Sequence, residues 1–308
     1  MRTCVILNPA AGGGSSPKRI RRTVSSIPGA EMRISPAPNS VGPLALEAVA
    51  DGFERIVAAG GDGTVSVLAS ALLESSPGVE CGVLPIGTGN DLAQSLGVPT
   101  RPDRAAALLR AGRATPIDAI HAAAYGTRAP EGANRESVVG EVRDMHAWNA
   151  VVGGFGGRIS DRLSPGMKGR WRGLAYLRAA VEELGELRPR RVRLDIDGRV
   201  TEQELLMLVI ANGRYAGGGI PFVPGAQVDD GWLDVVAIRT VPIGRLAVLV
   251  PRVLAGRHMT DSSVEHTRAR TVGVEADPGF WFNVDGETWV DGCATFDLRP
   301  RALPFIRP

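Results

Sequence analysis

The chain has 308 residues, of which 44% are hydrophobic and 22% are charged, a balance that is typical of a globular protein and excludes a largely disordered one. Lys and Arg number 35 against 33 Asp and Glu, a net charge of +2, which excludes the concentrated basic surface of most nucleic-acid-binding proteins. The length exceeds that of one ordinary hydrophobic core, so two domains are expected.

The first third of the chain alternates between strand-like and helix-like segments. Short apolar runs predict strands at 4–7, 31–35, 55–59 and 81–85. Helices are predicted at 18–26, 44–51, 65–74 and 102–111, with a further helix that ends at 96. Three of the strands run directly into glycine-rich turns. Repeated strand, glycine turn and helix are typical of a doubly wound parallel sheet, and we assign this α/β domain to residues 1–116.

The pattern changes near residue 117, where strand-like runs begin to follow one another. These runs lie at 117–125, 138–152, 192–196, 205–210, 233–238, 272–274 and 281–284. Short turns such as Asp197-Gly198 and Asp285-Gly286 separate several of them, while a long helix is predicted at 169–187 and a shorter one at 241–254. We therefore predict a mostly antiparallel domain at 117–298, and a tail at 299–308 for which a return to the first domain is one option.

Cysteine usage and apolar run lengths indicate a cytoplasmic protein. Cys4, Cys81 and Cys293 are isolated and form neither a disulfide framework nor a metal-ligand pattern. Cys4 and Cys81 lie in or beside apolar runs, and we expect both to be buried. The N-terminal apolar run is too short for a signal peptide, and no stretch reaches the roughly 18 apolar residues of a membrane span. We expect any contact with a membrane to be peripheral.

Glycine-rich turns follow three of the predicted strands, and in a parallel sheet all three would open on the carboxyl edge. The first turn, 8–15, contains Asn8 and Gly12 and offers several backbone N–H groups to an anion, although a flexible loop explains it equally well. The second turn is Gly60-Gly61-Asp62-Gly63-Thr64. Its glycines let the backbone approach a phosphate, and Asp62 is suited to hold a metal-bound water or is an ordinary turn residue.

The third turn, 85–91, lies between a predicted strand and a predicted helix. Thr88 is suited to donate to a phosphate oxygen, and Asp91 either takes part in the site or caps the following helix. Phosphoryl transfer requires clustered N–H groups, a cation and a positioned base. The three turns together therefore favour a kinase.

These motifs resemble those of the diacylglycerol kinase catalytic-domain family, which also contains sphingosine and ceramide kinases. NAD kinases share the Gly-Gly-Asp-Gly-Thr run, whereas Gly87-Thr88-Gly89-Asn90-Asp91 resembles the lipid-kinase version. The resemblance implies an N-terminal doubly wound parallel sheet and a C-terminal mostly antiparallel β-sandwich. It implies that Asp62 is catalytic and organises Mg²⁺ through water. It also implies that ATP is bound by Asn8, Gly12, Gly60, Gly61, Asp62, Gly63, Thr64, Gly87, Thr88, Asn90 and Asp91.

Two stretches of the second domain are similar to further family motifs. Residues 211–219 resemble an Asn-Gly…Gly-Gly-Gly stretch, and 224–234 follow at the family's distance. The resemblance implies that Asp230 and the main-chain carbonyls of Gln227 and Trp232 hold a Mg²⁺, which favours oxygen ligands. A simple Asp-Gly hairpin turn is the alternative. Trp232 stands where the family usually has a small aliphatic residue.

The last motif, 282–287, resembles the family's Asp-Gly-Glu. The resemblance implies that Glu287 is the general base, which accepts the proton of a lipid hydroxyl as its oxygen attacks the γ-phosphorus. Asp285 is predicted to be a turn residue. The segment 170–176, which is rich in Arg and aromatic residues, either faces anionic lipid headgroups or packs into the core.

The function expected from the sequence is an ATP- and Mg²⁺-dependent lipid kinase with its active site between the two domains. Its acceptor would be diacylglycerol or a related membrane lipid, met at the bilayer surface during turnover. Two alternatives remain open: a kinase of a soluble small-molecule or natural-product alcohol, and a non-catalytic lipid-binding module of the same fold. The sequence names neither the lipid nor the oligomeric state, although a homodimer is compatible with it.

Overall fold

The computed structural model describes residues 1–11, 17–76, 78–124, 143–154 and 190–308. These residues form two compact units, one of Met1–Asp118 with Pro300–Pro308 and one of Ala119–Arg299. Gly12, the predicted helix at 169–187 and the segment 170–176 lie outside the described residues.

The first unit is built on a parallel sheet. Its strands are β1 (Thr3–Leu7), β2 (Ala30–Ile34), β3 (Arg55–Gly60), β4 (Glu80–Pro85) and the end of β13 (Glu287–Arg307). They lie in the order β2-β1-β3-β4-β13, and these pairings are parallel. The central strands β1 and β3 are buried along their whole length, as expected for a parallel sheet whose two faces are covered.

Five α-helices in the described part of the first unit connect or follow these strands. They are α1 (Pro17–Val24), α2 (Val41–Ala50), α3 (Asp62–Ser75), α4 (Asp91–Ser95) and α5 (Pro102–Ala111). Helix α3 begins at Asp62, three residues earlier than the sequence analysis placed it. Because β3 ends at Gly60, Gly61 alone separates strand from helix, and Gly63 and Thr64 lie in the first helical turn.

The second unit is antiparallel. Its strands are β5 (Arg113–Ala124, which begins in the first unit), β6 (Arg143–Ala147), β7 (Ala150–Gly154), β8 (Arg190–Ile196), β9 (Arg199–Ala211), β10 (Leu233–Arg239), β11 (Val264–Ala269), β12 (Thr271–Val284) and the first part of β13. One path through the unit runs β11-β10-β9-β7-β12-β13, and β8 pairs with both β9 and β12. The predicted fold class, a parallel α/β sheet followed by a mostly antiparallel β-sandwich, is confirmed.

Alternate residues of β9 serve two separate cores, as the two-residue period of a strand requires. Leu208 and Ile210 belong to a cluster that also contains the aromatic rings of Phe280, Phe282 and Phe296. Val209 and Ala211 face the opposite way, into a second cluster. Helix α6 (Ile243–Leu254) covers this second cluster with Leu246, Leu249 and Val253.

Three predictions for the second unit were wrong in detail. The predicted run 138–152 contains two strands, β6 and β7, which Trp148 and Asn149 separate, and the runs 272–274 and 281–284 are parts of the single strand β12. The pairing of β12 with β13 shifts register between Glu275 and Phe280, which separates the two runs. Strand β11 was missed because four of its six residues are polar and exposed.

Within the described residues, no helix is both long enough and apolar enough to cross a membrane.

Candidate functional site

The parallel order of β1, β3 and β4 brings the three glycine-rich segments of the first unit to one edge of the sheet. Asn8 follows β1, Gly61 follows β3, and residues 86–90 follow β4. The carboxyl edge of an open parallel sheet is where such folds bind ligands. Of the predicted nucleotide-binding residues, all but Gly12 are described, and they lie in these segments or in the helices that begin there.

Asn8 joins the first segment to the second. Its Nδ2 donates to Thr64 Oγ1 at 3.0 Å, and its Oδ1 accepts from the backbone N–H of Ala10 at 3.1 Å. Its own backbone N–H donates to the Ala59 carbonyl at 3.1 Å. Both Asn8 and Thr64 are buried. Their side chains therefore hold the two segments together, whatever else they do.

Glycine is required where the second and third segments touch. A Cβ on Gly87 would lie 2.3 Å from Gly61 Cα, and a Cβ on Gly60 would lie 2.3 Å from the Thr64 side chain. The backbone N–H groups of Ile86 and Gly87 both donate to the Gly60 carbonyl, at 3.0 and 3.2 Å. By contrast, a Cβ on Gly63 would meet no atom within 4 Å. The surroundings of Gly63 therefore leave room for a ligand.

The third segment is fixed by Asn90, which has a left-handed backbone with φ 55°. Its Oδ1 accepts from the Gly87 N–H at 3.1 Å, and its Nδ2 donates to the Gly87 carbonyl at 2.8 Å. Thr88 lies exposed inside this closed turn. Asn90 precedes the first residue of α4, so the capping position that the sequence analysis considered for Asp91 belongs to Asn90.

Asp62 links the beginnings of α3 and α4. Its Oδ1 accepts from the Leu92 N–H at 3.0 Å. Burial raises the pKa of Asp62, while the backbone N–H groups of Leu92, Asn90 and Asp91 act in the opposite direction. Backbone N–H groups at a strand-to-helix turn favour anions, and a carboxylate beside them can bind a hydrated cation. The edge therefore suits a phosphate with its metal ion.

In the second unit, Asp285 connects two turns. It lies in the β12–β13 turn with φ 46°, and its carboxylate accepts from the backbone N–H groups of Trp148, Asn149 and Ala150. The contact to Ala150 measures 3.1 Å and the contact to Asn149 3.3 Å. The prediction that Asp285 is a turn residue was therefore incomplete, because its side chain also holds the β6–β7 turn.

The same network continues into the glycine-rich stretch 211–219. The backbone N–H groups of Asn212 and Gly213 donate to the Asn149 carbonyl at 2.9 and 2.8 Å. The side-chain amide of Asn212 donates to the Trp148 carbonyl at 3.0 Å, and that of Asn149 donates to the Tyr215 carbonyl. The motifs 211–219 and 282–287 are thus both tied by hydrogen bonds to the β6–β7 turn.

Glu287 follows this network by two residues, at the first position of β13. It is exposed and pairs across the turn with Val284. The N–H of Gly286 donates to Asn283 Oδ1 at 3.1 Å, which closes the turn. A carboxylate in this position is accessible to a substrate on a backbone that Asp285 and Asn283 hold in place.

Asp230 lies in the loop before β10, with its side chain 16% exposed. The Trp232 N–H donates to Asp230 Oδ1 at 3.2 Å, and Arg268 Nη2 lies 3.2 Å from Oδ2. Arg268 Nε also reaches the buried Asp234 Oδ1, at 3.4 Å, where His266 Nε2 lies at 2.6 Å. Arg268 therefore lies beside two carboxylates, those of Asp230 and Asp234.

The Mg²⁺ ligands that the resemblance implies in this loop are the Asp230 carboxylate and the main-chain carbonyls of Gln227 and Trp232. All are hard oxygen donors, and Mg²⁺ completes its shell with water. Across the described parts of the chain, no three His, Cys, Asp or Glu side chains are grouped to hold a metal. A site here must therefore depend on main-chain oxygens and water.

Sequence reasoning missed Asp118, which is 1% exposed. Its Oδ1 accepts a hydrogen bond from the backbone N–H of Arg301 at 2.7 Å, and Arg301 has a left-handed backbone with φ 52°. A carboxylate between Ile117 and Ala119 in an apolar strand was the available signal, because buried acids are rare unless they are paired.

Comparison with known proteins assigns most of the chain to two described domains. Residues 2–122 match the diacylglycerol kinase catalytic domain. Residues 149–307 match the YegS C-terminal NAD kinase beta sandwich-like domain.

Individual relatives are similar over nearly the same span. A protein of Pseudomonas aeruginosa PAO1 named "Probable lipid kinase YegS-like" is 34% identical over 259 residues, which cover 83% of this chain and 78% of that protein. A protein of Bacillus subtilis 168 named "Diacylglycerol kinase" is 27% identical over 292 residues, which cover 93% of this chain and 89% of that protein. A crystal structure of a diacylglycerol kinase from Bacillus anthracis Sterne superposes with a TM-score of 0.69 at 21% identity, over 100% of this chain and 97% of that one.

Proposed function

The chain belongs to the lipid kinase family that unites diacylglycerol kinases with YegS-like proteins, and we propose that it transfers the γ-phosphate of ATP, with Mg²⁺, to a hydroxyl of diacylglycerol or a related membrane lipid. The observation that carries the proposal is the edge of the first unit's sheet, where Gly61 and Gly87 touch and Asp62 spans two helix starts.

Backbone groups of that edge would bind the phosphates of ATP. Gly63 has open space above its Cα, and Thr88 is exposed within a turn that Asn90 closes. Positioned N–H groups stabilise developing charge without reorganising during the reaction. The hydrogen bonds of Asn8, Asn90 and Asp62 hold the segments together, so the protein itself would position these groups.

Two carboxylates would hold magnesium in the proposed reaction. Asp62 would organise the catalytic Mg²⁺ through water, and a second Mg²⁺ would be bound by Asp230 together with the carbonyls of Gln227 and Trp232. Bound Mg²⁺ offsets the negative charge of the phosphate oxygens during transfer.

Glu287 would be the general base. The lipid hydroxyl oxygen forms a bond to the γ-phosphorus as the bond to the ADP oxygen breaks, and the hydroxyl proton passes to the Glu287 carboxylate. Glu287 is exposed, and the three backbone N–H groups that bind Asp285 hold the preceding turn. Asp285 would therefore be a positioning residue for this base.

Glu287→Gln tests the assignment because it keeps the size of the side chain and removes its basicity. Loss of a general base costs roughly a hundred- to ten-thousand-fold in rate, so turnover should fall by that factor while ATP affinity is retained. The matched control is Glu202→Gln, at an exposed glutamate of β9 in the same unit.

The assay follows transfer of labelled phosphate from ATP to a panel of lipids and soluble alcohols. Near-full activity of Glu287→Gln on every acceptor would refute the role of Glu287. Transfer only to soluble alcohols would refute the lipid acceptor, and wild-type protein without any transfer would favour a non-catalytic module.

A further inference from the structure

The outward side of helix α6 is apolar and basic. Arg245, Ala247, Val248, Pro251 and Arg252, which we call the α6 outer face, are all exposed. Val248 is 50% exposed, the highest value for a large hydrophobic side chain in the described part of the second unit. Isolated exposed apolar residues are common on any protein, so the surroundings of Val248 decide what this face can do.

The opposite side of α6 fixes the helix to the protein. Leu246, Leu249 and Val253 are buried in the second core of the unit, at a spacing that forms one stripe along a helix. The α6 outer face is therefore presented on a rigid support and has a defined orientation.

A buried carboxylate organises the charge of the α6 outer face. Asp261, with its side chain 2% exposed, accepts from Arg245 Nη2 at 3.0 Å and from Arg252 Nη1 at 2.8 Å. Ser263 adds its N–H at 3.1 Å and its hydroxyl at 2.7 Å. Both arginine side chains remain more than 40% exposed. Two cations thus flank the apolar centre while their one acidic partner lies below the surface.

The charge balance of the region is positive. Helix α6 contains two arginines and no Asp or Glu, and the exposed Arg257 follows it closely. With Asp261 counted, these residues comprise three arginines and one carboxylate. An apolar strip between basic residues matches the boundary of an anionic bilayer, which takes up apolar side chains and attracts Arg and Lys.

We propose that the α6 outer face docks the protein on the surface of an anionic phospholipid bilayer. The inference rests on the proposed function in one respect, since a kinase of membrane lipids must approach its acceptor at such a surface. Val248 would enter the interface and the arginines would lie among the headgroups.

The test compares two exposed valines of the same unit. Val248→Glu places a negative charge in the α6 outer face, whereas Val200→Glu changes a valine of β9 that is 45% exposed. The full chain is sedimented with vesicles of phosphatidylglycerol and phosphatidylcholine, and with vesicles of phosphatidylcholine alone. Urea unfolding establishes that both variants are folded.

Wild type and Val200→Glu should bind the anionic vesicles, and added salt should weaken this binding. Val248→Glu should bind roughly fivefold or more weakly, since one charge near such a surface has about this effect. Val248→Trp should bind more tightly and show blue-shifted emission with anionic vesicles. Wild type without binding, equal binding by Val248→Glu, or an equal loss in Val200→Glu would overturn the proposal.

Two further measurements distinguish membrane docking from a role of the α6 outer face in catalysis or in self-association. Val248→Glu should keep wild-type activity on a short-chain acceptor dissolved as monomers, and lose it on vesicles. If no lipid is phosphorylated by wild type, the proposed function fails while the vesicle-binding result still decides the docking proposal. A change of oligomeric state in Val248→Glu without a change in vesicle binding would assign the face to self-association and overturn the proposal.

Discussion

Gly87→Ala should destabilise the first unit because the added methyl group has no space. Its Cβ would lie 2.3 Å from Gly61 Cα, 3.0 Å from Gly61 N and 2.9 Å from Asn90 Oδ1. Two of these atoms belong to the main chain and can yield only if the β3 and β4 segments separate. Overpacking of this kind costs about 1–3 kcal/mol.

Hydrogen exchange is the suitable assay because every tryptophan lies at or beyond residue 148 and none reports on the first unit. Exchange of the β3 and β4 amides through global opening should be roughly 5- to 150-fold faster in Gly87→Ala, since each 1.4 kcal/mol corresponds to about tenfold.

Gly63→Ala is the matched control for this experiment. Its Cβ would meet no atom within 4 Å, and alanine is favoured over glycine in a helix by up to about 1 kcal/mol. Exchange should therefore be unchanged or slower, while ATP affinity falls if the phosphates lie above Gly63. Unchanged exchange in Gly87→Ala would refute the close contact of the two segments.

Three further variants test other parts of the second unit. Burial lowers the pKa of His258 from its ordinary 6.5, so the unfolded state takes up the proton first and stability should fall as the pH drops below about 6.5. The free energy of unfolding in urea should therefore differ less between pH 7.5 and 5.5 for His258→Gln than for wild type. An equal difference in the two proteins would contradict this. Arg268→Met removes a cation 3.2 Å from Asp230 and should raise Mg²⁺ affinity at least about fivefold in a calorimetric titration. An unchanged affinity would show that Arg268 and Mg²⁺ do not compete for Asp230. Asp285→Ala leaves three backbone N–H groups without their acceptor, so the free energy of unfolding should fall by about 1–3 kcal/mol and turnover should fall without a change in ATP affinity.

The fold class could be predicted because buried parallel strands and the turns that follow them leave strong local patterns. The apolar runs at 4–7 and 55–59 correspond to β1 and β3, which are wholly buried. Cys4 and Cys81 are both 0% exposed, as predicted. Burial raises the pKa of Cys4 to about 11, so this thiol is an inert core group.

Contacts between distant segments were beyond sequence reasoning. Asn8 and Thr64 are 56 positions apart and meet only because β1 and β3 are neighbours. The carboxylate of Asp285 reaches residues 135 or more positions earlier, whereas its sequence signal, an Asp-Gly pair, indicates only a turn. Motifs thus identified which residues to inspect, and the structure added the role of each in holding its neighbours.

The site assignments that came from the family resemblance stay predictions. Glu287 and Asp230 were chosen from motif position alone, and no local pattern shows that one is exposed and the other lies beside Arg268. These properties depend on β11 and β13. Polar and turn-like residues concealed the full extent of both strands in the sequence.

The course of β13 has a consequence for synthesis of the protein on the ribosome. Residues 300–308 belong to the first unit, where Leu303, Phe305 and Ile306 are fully buried and Phe305 pairs with Cys81 of β4. The whole of Ala119–Arg299 is translated before this strand segment emerges. Until then the first unit has an incomplete core and an open β4 edge. An open strand edge is a template for pairing with other chains. Native assembly of the first unit therefore requires that the whole second unit has been synthesised first.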